Sequence, residues 1–323
     1  MRQRLRVRIT RKWMEAVDAC GLELRAADGA ALPPFAAGAH IDLVLPGGLT
    51  RQYSLCNAPS GADRYEICVL RAPDSRGGSR AVHEDLAAGQ EIEISAPRNL
   101  FALAPGEAPA ILIAGGIGIT PILSMALALS AQGRPFELHY ASRSLAHTAF
   151  RSTLISRLGQ HAHLYTPEPG SSRLQVDALV GRHAADAHFY ACGPRRLIDA
   201  TLAAAQASGV APDRVHVEHF APAATATTAA PAASDTAFEL FLARSLRSVA
   251  VGKCESIVQA IRRAGVDILT SCEQGVCGTC VQAVLEGEVE HLDYYLGDDE
   301  KRAGKLIIPC CSRASSQRLV LDL

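Results

Sequence analysis

Hydrophobic and polar positions change their period along this chain, and each change marks a different kind of element. Up to about residue 101 apolar residues alternate with polar ones. Ile41, Leu43 and Leu45 take every second position, as do Tyr65, Ile67 and Val69, and Ile92 and Ile94 flank Glu93. A period of two is that of a strand with one buried face. Pro33-Pro34, Pro46-Gly47-Gly48, Pro59-Ser60-Gly61 and Arg76-Gly77-Gly78 separate these runs and have the composition of turns. Several short strands punctuated in this way predict an antiparallel barrel or sandwich.

From about residue 103 the pattern is different. Residues 110–114 are wholly apolar, as in a strand buried on both faces. Gly115-Gly116-Ile117-Gly118-Ile119-Thr120-Pro121 follows, then a helical pattern over residues 122–131 with Pro121 suited to the first helical position. Residues 136–140 predict a strand. Phe150, Leu154 and Leu158, at i, i+4 and i+8, predict one face of a helix. Residues 188–191 predict a strand ending in Cys192-Gly193-Pro194, and residues 195–207 a helix. Strands alternating with helices imply a parallel, doubly wound sheet.

Residues 221–235 are Ala, Pro, Thr and Ser ending in Asp, without a large apolar side chain, and read as a linker. Beyond it, residues 238–251 predict two strands around a turn, 256–264 a helix, and 281–285 and 318–323 two further strands. That is a small α+β domain. No internal repeat appears.

Composition adds bounds. A chain of 323 residues with 48% apolar content is long enough for two or three cores. The net charge of −1 shows no basic stripe, so nucleic acid is not an expected partner. No apolar run has the length of a membrane span, and no apolar segment follows the basic start Met1-Arg2-Gln3-Arg4. Ten cysteines without a secretion signal point to a reducing cytoplasm.

Three of those cysteines form the pattern C-x4-C-x2-C: Cys272, Cys277 and Cys280. At about 3% cysteine, chance places Cys at both later positions in roughly 0.1% of cases. The spacing is the three-ligand part of a plant-type [2Fe–2S] signature, which needs a fourth cysteine downstream. Cys310 and Cys311 are the candidates. Gly275 and Gly278 suit a loop that wraps a cluster closely. Zinc sites usually show two C-x2-C pairs, and here there is one.

The other motifs are weaker singly. In Arg51-Gln52-Tyr53-Ser54 the Arg offers a fork of donors for phosphate, the Tyr a flat face for a ring, and the Ser a hydroxyl. Arg76-Gly77-Gly78-Ser79 is a glycine-rich turn that opens a short helix through Leu86, where backbone N–H groups suit a phosphate. Gly115, Gly116 and Gly118, between a buried strand and a helix, admit a pyrophosphate closely. Cys192-Gly193-Pro194 stands at the end of a later strand, where ligands of open α/β sheets bind.

Taken in order, these motifs resemble the phthalate dioxygenase reductase and vanillate demethylase reductase family, ferredoxin–NADP reductase-like proteins with a C-terminal plant-type ferredoxin domain. The residues that carry the resemblance are Arg51 to Asn57, Arg76 to Ser79, Ala96-Pro97-Arg98-Asn99, residues 114–125, Cys192-Gly193-Pro194, Glu218-His219-Phe220, and the C-terminal cysteines with Ser312-Arg313. The resemblance implies a multidomain fold: an FMN-binding antiparallel β-barrel over residues 1–102, an NAD-binding doubly wound α/β domain over 103–222, a linker over 223–235, and an α+β, β-grasp [2Fe–2S] ferredoxin domain over 236–323. It implies FMN held by Arg51, Tyr53, Ser54, Arg76, Gly77, Gly78 and Ser79, with Phe220 near the isoalloxazine ring. It implies Thr120 and Cys192 facing the nicotinamide, and Gly115, Gly116, Gly118, Pro121, Arg143, Gly193 and Pro194 around the rest of the coenzyme.

NADH is the coenzyme the resemblance implies, although Arg143 and Ser144 alone leave NADPH open. Cys310 is the fourth cluster ligand by the same resemblance; if residues 306–311 are extended, neighbouring thiols face opposite sides and only one of the pair reaches the cluster. The expected protein is a cytoplasmic monomer that passes electrons from NADH through FMN and [2Fe–2S] to a Rieske-type oxygenase acting on an aromatic acid or methyl ether. Two alternatives are the reductase of a P450 or di-iron monooxygenase, and an electron-carrier module without dehydrogenase activity.

Overall fold

The computed structural model describes residues 4–60, 63–73, 77–168, 173–220, 237–270, 272–273, 275–276 and 278–323. Its period-two region forms β1 (Arg4–Ala16), β2 (Ala19–Ala26), β3 (His40–Val44), β4 (Thr50–Ser54), β5 (Tyr65–Leu70) and β6 (Glu91–Ser95). All pair antiparallel, in the order β4-β3-β6-β1-β2-β5. A bridge between Leu55 and Ile67 joins the two ends, so the sheet curls into a barrel. Alternation sends Val7, Ile9, Leu22, Leu24, Ile41, Leu43, Tyr65, Ile67 and Ile94 inward. Arg98 forks onto Asp42 at 2.6 and 2.8 Å and ties the segment after β6 to β3. The short helix α1 (Gly78–Glu84) packs Ala81 and Val82 against the same core.

Five parallel strands follow: β7 (Ala110–Gly115), β8 (Phe136–Ala141), β9 (Ala162–Tyr165), β10 (His188–Cys192) and β11 (Val215–Glu218), in the order β11-β10-β7-β8-β9. Strand order reverses between β7 and β10, which makes that crevice the switch point of the sheet. The three central strands, β7, β8 and β10, bury both faces. Leu112, Leu138, Tyr140 and Tyr190 meet α2 (Ile119–Gln132) on one side. Ile111, Ile113, Phe189 and Ala191 meet α4 (Val176–His183) and α5 (Arg195–Ala207) on the other. The α2 core also takes in Ala19, Cys56 and Cys68 of the barrel, and buried Ser124 donates to the Asn57 carbonyl at 2.9 Å.

The chain divides into two units, Met1–Glu218 and His219–Leu323. In the second, β12 (Phe238–Leu242) lies between β13 (Arg247–Val251) and β18 (Arg318–Leu321), parallel to the latter, and β14 (Gln282–Glu286) and β16 (Leu306–Ile307) extend the sheet. β15 (Val289–Glu290) pairs with β17 (Arg313–Ala314). Helix α6 (Ile257–Arg263), started by a capping box of Ser256 and Gln259, lays Ile257, Ala260 and Ile261 on the sheet core. A last helix, α7, spans Asp298–Ala303. No described helix is long and apolar enough to cross a membrane.

Four local expectations need correction. Phe150, Leu154 and Leu158 are all buried, but Phe150 has φ +59, α3 is one turn (Arg151–Thr153), and residues 154–158 wind as a π-helix. The buried face holds while the helical period does not. Helix α2 begins at Ile119, continuing a 3₁₀ turn over Gly116–Gly118, so Pro121 is its third residue; that N–H is unpaired in any helix, and proline costs nothing there. α1 ends at Glu84, short of Leu86. The strand at 306 ends at Ile307, and Cys310 and Cys311 lie in a turn where Cys311 N and Ser312 N both donate to the Ile308 carbonyl. Alternation therefore does not decide between the two thiols. The linker at 223–235 lies outside the described residues.

At the switch point the packing leaves no room for side chains. A Cβ on Gly118, whose φ of −61° any residue accepts, would lie 2.3 Å from the Cys192 carbonyl oxygen. Gly118→Ala should therefore destabilise the first unit by about 3 kcal/mol, as overpacking does, or roughly 6–12 °C in melting temperature. Gly133→Ala, at the open C-terminus of α2 with φ +66, should cost only about 1 kcal/mol. Equal melting temperatures for the two variants would contradict the contact.

Candidate active site

The site is built around backbone contact between two loops. Ala114 and Cys192 are partners in the β7–β10 register, so the loops that follow these strands leave side by side. A Cβ on Gly115 would meet Pro194 Cδ at 2.6 Å, and one on Gly193, with φ +152, would meet Gly115 Cα at 2.8 Å. Gly115, Gly118, Gly193 and Pro194 thus form one interlocked surface. Gly116 has φ +53 and open space beside it. Thr120 is buried and its hydroxyl donates to the Ile117 carbonyl at 3.0 Å, which closes the turn into α2.

Next to that surface three polar groups converge. Cys192 at the end of β10 is fully buried and pairs in register with Glu218 at the end of β11. Ser54, buried at the end of β4, donates to Glu218 Oε2 at 3.4 Å. Burial pushes the Glu218 carboxyl up to about 8, against the smaller opposing effect of the Ser54 bond. Burial, and then the Glu218 charge, push the Cys192 thiol well above its ordinary value. At neutral pH this is a neutral thiol, a hydroxyl and a protonated carboxyl. Such a set can hold or pass a proton without placing a charge in the crevice.

On the barrel side, Arg51 and Tyr53 share β4 with Ser54. The Arg51 side chain runs over Gly78, where a Cβ would lie 2.6 Å from its Cγ and 2.8 Å from its Nε. Gly77 caps α1 in the left-handed region at φ +90. Ser79 Oγ accepts from Ala72 N at 3.1 Å, which folds the loop back on β5. The structure thus joins Arg51 to the Gly77–Gly78 turn. Arg76 lies outside the described residues. Burial raises the Tyr53 phenol, with Arg51 pulling the other way.

Beyond the switch point a cavity of about 870 Å³ runs along the strand ends. Gly115, Gly116, Tyr165, Pro194 and Leu197 line it together with Arg143, Arg173 and Arg196. Among the described residues its lining includes no carboxylate. Arg143 reaches out to Asp18, 3.0 Å away. Phe220 belongs to the second unit, two residues after Glu218 in sequence, and is exposed.

In the second unit Cys272 and Cys280 are buried, and Cys310 lies in the turn after β16. The Cys310 thiol interacts with Cys280, with Cys311 and with the Gly275 backbone. The Cys311 thiol turns to the Ile308 carbonyl, 3.7 Å away. Gly275 and Gly278, with φ +76 and +63, are hemmed in by Cys311 Sγ and by the Tyr295 ring, so neither position tolerates a side chain. Cys277 lies outside the described residues.

Sequence reasoning missed Glu218 as a working side chain, and Arg173 and Arg196 as cavity walls. Glu218 does stand among the motif residues, but only the parallel register of β10 and β11 brings it to Cys192. Arg196 carries a fainter signal: it directly follows Cys192-Gly193-Pro194-Arg195 at a helix start.

An antiparallel barrel docked on a doubly wound sheet, with a neutral proton-holding cluster at the switch point and a thiol-rich loop in a separate unit, defines an oxidoreductase of the electron-transfer class. Residues 240–315 match the 2Fe-2S iron-sulfur cluster binding domain. The chain is 44% identical over 310 residues to a vanillate O-demethylase oxidoreductase of Pseudomonas sp., covering 95% of this chain and 96% of that one. Among solved structures it is similar to phthalate dioxygenase reductase, with TM-score 0.76, 38% identity, and coverage of 99% and 98%. It also matches an intact type IV self-sufficient cytochrome P450 monooxygenase, with TM-score 0.83 and 35% identity, covering 99% of this chain and 41% of that one. The chain belongs to the phthalate dioxygenase reductase and vanillate demethylase reductase family, the reductase components of oxygenase systems.

Glu218 gives a pH test. Its raised carboxyl means that the folded chain holds one more proton than the unfolded chain between about pH 4.5 and 8, so its contribution to stability falls as pH rises through that window. Coenzyme-driven dye reduction by the wild type should show an inflection near pH 8. Glu218→Gln should flatten that limb and lower kcat more than it changes KM. An unshifted inflection in the variant would assign it to another group.

Proposed function

We propose that this chain is the NADH-dependent reductase component of a Rieske-type oxygenase system acting on an aromatic or similar small substrate. The observation that carries the reading is the full-length likeness to a vanillate O-demethylase oxidoreductase, supported by a chain that contains both a switch-point site and a cluster-binding domain. The proposed domains are residues 1–102 for FMN, 103–222 for NADH, 223–235 as linker and 236–323 for the cluster.

The residues fit these groups. Arg51 and the backbone of Gly77, Gly78 and Ser79, with Arg76, would hold the FMN phosphate, and the Arg51–Gly78 packing that excludes a Cβ supports this. Tyr53 would offer its face to the flavin ring and the Ser54 hydroxyl would meet its edge; Phe220 near the ring is what the family resemblance implies. Gly115, Gly116, Gly118, Thr120 and Pro121, with Gly193 and Pro194, would line the coenzyme's path, and Cys192 would set the nicotinamide depth. The thiols of Cys272, Cys277, Cys280 and Cys310 supply the donors of a [2Fe–2S] site. A flavin held there would supply the conversion of the coenzyme's electron pair into the single electrons that a [2Fe–2S] cluster accepts. FMN rather than FAD is what the family resemblance implies. The close backbone contacts and the buried Cys192 and Ser54 at the switch point would help to exclude water from the transfer.

A second reading, a P450 as electron acceptor, is favoured by the likeness to the self-sufficient P450 monooxygenase. The purified chain, analysed for flavin, iron and labile sulfide and assayed with both coenzymes, tests the proposal. It should yield one FMN and two irons per chain and a kcat/KM favouring NADH. Released FAD would overturn the flavin assignment. A preference for NADPH would overturn the coenzyme and implicate Arg143, freed from Asp18, in binding the 2′-phosphate.

A further inference from the structure

At the outer edge of the parallel sheet, on the face away from α2, four side chains form a cluster that electron transfer does not use. Glu137 and His139 stand two apart on β8 and so point to the same face. His163 on β9 is the register partner of His139, and their rings stack with centroids 4.8 Å apart. The ligand atoms of Glu137, His139 and His163 all lie within 4.8 Å of one another, with His139 Nε2 3.0 Å from Glu137 Oε2. His183, in the last turn of α4, brings Nε2 to 3.6 Å from Glu137 Oε1. That nitrogen is buried and has no hydrogen-bond partner among the described residues.

We propose that this cluster is a metal site of the zinc class, with Glu137, His139 and His163 as ligands and His183 or water in the fourth position. Imidazole nitrogens with one carboxylate are a donor set suited to zinc. Bonds of about 2.0–2.1 Å place tetrahedral ligands about 3.4 Å apart, so small side-chain rotations from the observed spacing close the set. Exposed His163 leaves a path from solvent, whereas His139 is buried and fixed.

The outer partner is also present. Tyr165 OH lies 2.9 Å from His139 Nδ1. Without metal, Nε2–H donates to Glu137 and Nδ1 accepts from Tyr165. When Nε2 binds metal, the imidazole proton resides on Nδ1 and donates to the Tyr165 oxygen, so charge and proton count on the ring are conserved. Hydrogen-bonded partners of this kind orient metal-bound histidines. Tyr165 also lines the cavity at the strand ends, so metal loading reaches the wall of the proposed coenzyme site.

The test uses the full chain with its iron–sulfur cluster loaded, exposed to Zn²⁺ and freed of excess by gel filtration. Elemental analysis should find one zinc per chain besides the irons. Zinc X-ray absorption should show nitrogen and oxygen neighbours at about 2.0–2.1 Å and no sulfur at about 2.3 Å. His163→Ala at an exposed position and Glu137→Gln at a half-buried one should each weaken zinc binding at least about tenfold. Failure to retain zinc, sulfur ligation from the cluster cysteines, or wild-type affinity in either variant would overturn the site. None of these outcomes bears on the reductase reading.

Discussion

Backbone-to-backbone contact between the loops after β7 and β10 is the constraint on which the rest of the first unit depends. It exists because Gly115, Gly118 and Gly193 have no side chains where Pro194, the Cys192 carbonyl and Gly115 itself press in. The loops that leave these two paired strands are thereby held side by side. That closeness aligns Cys192 with Ala114 on one side and with Glu218 on the other. The barrel then needs only to present Ser54, whose strand ends against the same place.

Burial has a second consequence at this junction. A carboxyl held up to about 8 by burial stays protonated at neutral pH, and the neighbouring thiol stays neutral too. The crevice can therefore be apolar without an uncompensated charge, which would be costly there. Charge is displaced to the cavity beyond, where Arg143, Arg173 and Arg196 face an open volume. The cluster-binding unit solves a different packing problem with the same residue. Gly275 and Gly278 let the loop pass Cys311 and Tyr295 at distances that no other residue allows.

Much of this was legible in the sequence because the chemistry demands local spacing. Three cysteines in register, a glycine-rich strand-to-helix turn, and the change of hydrophobic period announce the cluster loop, the switch point and the layers of the fold. What stayed hidden depends on register between distant strands. Glu218 acts only because β11 lies beside β10. Arg143 finds Asp18, 125 residues away in sequence. Glu137, His139, His163 and His183 carry no compact spacing and meet only when β8, β9 and α4 assemble. Local winding also misled: positive φ at Phe150 and Gly159 confines the segment between them to a single α turn and a π-helix, despite an ideal i, i+4, i+8 pattern. The turn at Cys310 and Cys311 likewise breaks a run that reads as extended.

On the proposed function, two sites in separate units, one organised by Gly118 and one holding Cys310, would serve two separable steps. The direct measurement is NADH-driven ferricyanide reduction recorded beside the visible and EPR signals of the iron–sulfur cluster, in Gly118→Ala, Cys310→Ser and Cys311→Val. Gly118→Ala should lose dye reduction and keep the cluster signals. Cys310→Ser should lose the cluster signals and keep dye reduction, and Cys311→Val should keep both. Loss of both dye reduction and cluster signals in Gly118→Ala and in Cys310→Ser, or an intact cluster in Cys310→Ser, would show that the two steps are not separable in this way.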